Sequence, residues 1–111
     1  MDTSTDYREI VKRVILQYAD YVPAQDKEQT ELVFDEERGH YEMLFVGWEG
    51  SHRVHGCVLH LDIKNGKIWI QHDGTEEGIA TDLEEAGVPK EHIVLAFHPP
   101  YKRPYTGFAV A

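Results

Sequence analysis

One cysteine in 111 residues leaves no partner for an internal disulfide and no second thiol for a thiolate metal cluster. Long apolar runs are missing too: none approaches the roughly 18 residues that a membrane-spanning helix needs. Positive charge is scarce, with 11 Lys and Arg against 20 Asp and Glu and a formal net charge of -9. Nucleic-acid binding draws most of its affinity from cations neutralising phosphates, so autonomous DNA binding is disfavoured. The only basic doublets are Lys12-Arg13, inside a helical pattern, and Lys102-Arg103. The opening Met1-Asp2-Thr3-Ser4-Thr5-Asp6 is acidic and polar, the opposite of a signal peptide, and a cytoplasmic location is expected. An acidic surface of this kind suits a basic protein partner, although acidity also serves solubility alone.

The hydrophobic share of 41% and the length are those of one domain over residues 1–111 with a modest core. Tyr7, Ile10, Val11, Val14, Ile15, Tyr18 and Val22 recur at helical spacing, with Thr5 or Asp6 as the N-cap and Pro23 as the stop. Residues 24–29 read as a polar connection. Strands follow over residues 30–34, 40–48, 53–64 and 67–73, and Asn65-Gly66 is the strongest hairpin signal in the chain. Thr75 is placed to cap a second helix carrying Ile79, Ala80, Leu83 and Ala86, and Gly87 fits its C-terminal end. Residues 93–97 read as a short strand. Pro99, Pro100 and Pro104 exclude a regular element in the tail, whose aromatics are expected to pack on the body. The fold class is therefore α+β: a four-stranded antiparallel meander with both helices on one face, plus a short C-terminal strand and an irregular tail.

Between Val46 and Gly74 lie both tryptophans, the single cysteine and four of the seven histidines. A two-residue turn at Asn65-Gly66 pairs Lys64 with Lys67, Ile63 with Ile68, Asp62 with Trp69, Leu61 with Ile70, His60 with Gln71 and Leu59 with His72. Alternation then puts Cys57, Leu59, Leu61, Ile63, Ile68, Ile70 and His72 on the helix-facing side, and His60, Asp62, Trp69, Gln71 and Asp73 on the other. His60 and Asp62, with Asp73 diagonally near, supply two ligands of a metal site without a third strong one, so a polar sheet face outweighs a metal centre. Cys57 beside a buried His72 lacks an orienting group and an oxyanion donor, so a core histidine bonded to backbone or to Glu76 outweighs a nucleophile and base. Arg53 and His55 offer anion contacts at the sheet end or, with greater weight, rim ion pairs. For Trp69 a dimer or partner contact and coverage by the tail aromatics weigh equally. The segment Gly74-Thr75-Glu76-Glu77-Gly78 lacks the spacing and lysine of a phosphate loop. No catalytic residue, metal or cofactor is expected from these patterns.

Several blocks carry a family resemblance: Tyr7-Arg8-Glu9-Ile10, Val46-Gly47-Trp48, Arg53-Val54-His55-Gly56-Cys57 and His60-Leu61-Asp62-Ile63. Gly66 to Glu76, Gly78-Ile79-Ala80, Ala86-Gly87-Val88-Pro89-Lys90, Ile93 to His98 and Tyr105 to Val110 continue it. The chain resembles the XisI family, the fdxN element excision controlling factor proteins of cyanobacteria, over nearly its whole length. The resemblance implies a small α+β domain, for which dimers are plausible. It also implies a role in developmentally controlled DNA excision beside a site-specific recombinase and the companion protein XisH, which resembles restriction-type nucleases. It brings no enzymatic activity and no catalytic residues. The expectation is a non-enzymatic regulator that contacts a XisH-like protein. Its alternatives are a direct DNA-binding accessory factor and a small metal-dependent enzyme using His60, Asp62, His72 or Cys57. The surface expected to meet the partner or a second copy comprises Trp69, His60, Asp62, Gln71 and Asp73, with Arg53, His55 and His72 as a lesser polar site.

Overall fold

The helical stripe forms α1 (Thr3–Asp20), which buries Val11 and Ile15 completely and Tyr7 and Val14 almost so. The structure is a computed structural model and describes residues 3–111. Because α1 reaches back to Thr3, Thr5 and Asp6 lie inside the helix rather than at its cap; Asp6 still favours the positive end of the helix dipole. The helix stops at Asp20, where Tyr21 and Val22 donate back to the carbonyls of Tyr18 and Ala19. The connection read as irregular holds one further turn, α2 (Ala24–Lys27). Pro23 sets it up with φ −53°, a value its ring favours, and its carbonyl accepts the Asp26 N–H.

Five strands follow: β1 (Thr30–Asp35), β2 (His40–Glu49), β3 (His52–Lys64), β4 (Lys67–Asp73) and β5 (Ile93–Leu95). They lie side by side in chain order. The first four form the expected antiparallel meander. The short fifth strand does not stand apart, because it joins the sheet edge parallel to β4 and makes the sheet mixed. A parallel return needs a crossover, and α3 (Ile79–Glu85) supplies it. α3 ends as Gly87 predicts. Gly87, at φ +104°, donates to Glu84 O, and Val88 donates to Leu83 O, while Leu83 and Val88 bury their side chains together. Thr75 is not the helix cap; its hydroxyl accepts the Gly78 N–H in the turn before α3.

The core lies between one sheet face and the two long helical stripes. It joins Tyr7, Val11, Val14 and Ile15 to Tyr41, Met43, Leu59, Leu61, Ile68 and Ile70, with Ile79, Leu83 and Ile93 beside them. The tail crosses the far end of the sheet. A single 3-10 turn at Arg103–Tyr105 forms around Pro104, where no regular element was expected, because a proline in the first turn needs no N–H there. Ala109 then bridges to Val94. No helix among the described residues is long and apolar enough to cross a membrane.

Candidate functional site

Two register irregularities decide which side chains share the uncovered sheet face. The β3–β4 hairpin follows the Asn65-Gly66 register from Lys64–Lys67 to Leu61–Ile70, and there it slips by one. His60 then faces His72, and Leu59 faces Asp73. Gln71 is the extra residue of this bulge, and the side chains beyond it exchange faces. His72 is consequently exposed beside His60, not buried against the helices. Asp73 turns the opposite way. Its carboxylate accepts the Thr75 N–H at 2.9 Å, the Thr75 hydroxyl at 2.6 Å and the Ile79 N–H at 2.8 Å, so it caps α3 and leaves the polar face.

The second slip lies between β2 and β3, where Met43 faces Leu59 but Leu44 faces Cys57. Val58 is the extra residue. Cys57 moves to the side of Leu44 and Glu42, away from the helix-facing side expected for it. Its thiol donates to Leu59 O at 3.2 Å, and burial pushes it above the usual thiol range, with the charge of Glu42 adding to the effect. A protonated thiol bonded to backbone, out of register with His72, is not an activated nucleophile.

The same slip builds a cluster that alternation from the turns does not anticipate. It brings His40, the first residue of β2, directly opposite Asp62. His40 Nδ1 lies 2.7 Å from Asp62 Oδ1, and His60 Nε2 reaches that same oxygen at 2.8 Å. Gln71 Nε2 donates to the other carboxylate oxygen at 3.2 Å. Glu42, facing His60 across the strands, places Oε1 3.5 Å from His60 Nδ1. The side chain of Asp62 is only 14% exposed, against 51% for His40. The hydrogen bond and charge of Asp62 raise the pKa of His40. Gly39 fixes the entry of His40: it adopts φ +74°, and its carbonyl accepts the Ile63 N–H at 2.8 Å.

Of the other expected contact residues, Trp69 stays on the polar face but is half-buried. Lys64 Nζ lies 4.5 Å and the Arg103 guanidinium 5.6 Å from its ring centre, and its indole N–H donates to Lys64 O. Cations of the hairpin end and the tail, rather than tail aromatics, cover it. Arg53 and His55 are exposed toward the β2–β3 hairpin end, where Arg53 stacks over Trp48 at 5.1 Å. Trp48 is 58% exposed and Val33 45%, with Leu44 and Val46 half-buried on the same face. Sequence reading assigned Trp48 to structure and missed His40, Glu42 and Val33. On the helical side, an open cleft of about 330 Å³ runs between α1 and α3, lined by Val14, Gln17, Asp20, Tyr21, Asp82 and Glu85.

A family model described as XisI protein matches residues 1–110. The crystal structure of a XisI-like protein from Anabaena variabilis superposes with a TM-score of 0.89 at 45% identity, covering 97% of this chain and 99% of that one. The structure of the fdxN element excision controlling factor XisI from the same organism gives 0.88 at 40% identity, covering 99% of this chain and all of that one. Comparison with curated proteins gives no match.

Proposed function

The chain belongs to the XisI protein family, and from that membership we propose that it is a non-enzymatic accessory protein acting by protein–protein contact. Its partner in this reading is a XisH-like nuclease or the recombination machinery of programmed DNA rearrangement, and the partner presents a basic surface. The observation that carries the reading is the uncovered sheet face. α1 and α3 cover one side only, while the other offers Trp48 and Val33 to solvent around a polar centre of Glu42, His60 and Asp62. Exposed Trp48 and Val33, with half-buried Leu44 and Val46 on the same face, set apolar surface beside charged groups, as a contact surface does. The net charge of -9 favours a basic partner and raises the rate of encounter with it.

Each of the two basic doublets has one of its cations engaged within the chain, which reduces the charge on offer to DNA. Lys12 is engaged by Glu9 at 2.9 Å and Glu36 at 2.5 Å. Arg103 spends its guanidinium on the carbonyls of Ala96, His98 and Val110 in its own tail. Arg13 and Lys102 stay exposed, so each doublet keeps one cation open to solvent and one engaged within the chain.

Co-purification with a XisH-like protein tests the proposal. The two chains are expected to associate at micromolar concentration, and Trp48→Ala or Val33→Asp should weaken association about tenfold or more, as loss of an anchoring contact residue does. No association between two folded partners would overturn it. Salt-sensitive binding to duplex DNA without a partner would instead favour the DNA-binding alternative.

A further inference from the structure

We infer that His40, His60 and Asp62 form a binding site for one divalent transition-metal ion of the zinc class. Such a site is complete within one chain and needs no partner. One ligand atom from each of His40, His60 and Asp62 lies within 4.8 Å of the other two, the one such convergence of three residues found among the described residues. Both imidazoles aim at a single carboxylate oxygen, at 2.7 and 2.8 Å. A tetrahedral ion about 2.0–2.2 Å from each ligand atom holds those atoms roughly 3.3–3.6 Å apart. Each imidazole nitrogen therefore needs to draw back from the Asp62 oxygen by roughly 0.5–0.9 Å, a modest side-chain rotation, to admit one.

The surroundings are those of ligands held in place. Asp62 is fixed from behind by Gln71, which donates to the oxygen that the histidines leave free. Ligation through His60 Nε2 puts that ring's proton on Nδ1, which faces Glu42 Oε1 at 3.5 Å. A ligating imidazole whose other nitrogen points at a carboxylate is the common arrangement around bound zinc. His40 is anchored by the Gly39 carbonyl on Ile63, one residue from Asp62, so all three ligands come from two strands locked in register. Two imidazoles and one carboxylate favour zinc, cobalt, nickel or ferrous iron over magnesium or calcium, which take oxygen ligands. Three protein ligands on an open sheet face leave further coordination positions to water or to a side chain of another molecule.

The test uses untagged full-length protein stripped with EDTA and titrated with zinc chloride by calorimetry, with cobalt(II) as a spectroscopic probe. One ion per chain is expected, with cobalt absorption bands of a mixed nitrogen and oxygen site. His40→Ala and Asp62→Asn should each weaken zinc binding by at least ~100-fold, and Glu42→Gln by ~10-fold, the range seen when a residue supporting a ligand is lost. His55→Ala and His72→Ala, which alter exposed histidines nearby, should leave affinity unchanged. Should Asp62→Asn fail to fold, His40→Ala alone decides, because its half-exposed side chain belongs to no core contact. Zinc affinity that survives His40→Ala, or follows His55 or His72 instead, overturns the site. So does a stripped protein that takes up no zinc or cobalt.

Discussion

Asp73 gathers three hydrogen bonds onto one carboxylate and ties the end of β4 to the start of α3. Removing a partly buried acceptor leaves its donors without partners, at a cost of about 1–3 kcal/mol. Asp73→Ala should therefore lower the urea midpoint by an amount equal to about 2 kcal/mol, with Asp73→Asn losing less because its amide oxygen still accepts. Equal midpoints for all three proteins would refute the capping role. Reading this residue from sequence failed for a definite reason. A two-residue turn fixes register only until a bulge intervenes, and the bulged Gln71 has no turn chemistry to announce it. The same holds for His40. Counting back from the Gly50-Ser51 turn pairs it with Leu61, and only the extra residue Val58 brings it to Asp62. His60 and Asp62, two apart on one strand, needed no such knowledge and were legible as a polar pair.

Among the elements, those with strong local chemistry were legible: the α1 stripe, the four meander strands and the glycine end of α3. The fifth strand was legible as an element but not in its position. Ile93–Leu95 is too short to show its neighbour, and its pairing with β4 depends on α3 folding back over the sheet. The tail was the least legible, because tertiary contacts hold it. Arg103 spans three carbonyls and lies over Trp69, while Ala109 donates to Ile93 O at 2.9 Å. Arg103→Ala removes a charged donor and a cation over an indole ring, together worth about 1–3 kcal/mol. Most of that loss should fall on the tail. Amide exchange at Ala109 and protease cleavage beyond His98 are expected to accelerate, while amides of β2 and β3 keep their protection. Uniform acceleration across the sheet would show that the tail is part of the global fold instead.

At the scale of the whole molecule, 20 Asp and Glu against 11 Lys and Arg leave acidic groups close to one another without cations between them. Asp82 shows the consequence on the helical side. Partial desolvation in the cleft lifts its carboxyl above the ordinary carboxylate range, and Glu85, Glu77 and Asp73 add repulsion. A carboxyl raised on folding holds its proton more tightly in the native state. The associated stability is present at low pH and is lost as pH rises through the folded value. At neutral pH the ionised Asp82 therefore works against the fold. Asp82→Asn should raise the melting temperature at pH 7, by a few degrees at most because the residue is solvent-exposed and screened. That advantage should vanish as the pH falls below 3.8, the ordinary value for an aspartate, where both proteins carry a neutral group. Thermal melts of the two proteins across pH 3 to 8 measure it directly. A gain that persists undiminished in acid would assign the effect to amide hydrogen bonding, and a loss at pH 7 would mean that the charge is stabilised by contacts along the cleft. The substitution lies on the helical side, away from Trp48 and Val33. Partner affinity should then be nearly unchanged while stability rises, which separates the acidity that burdens the fold from the acidity available for encounter.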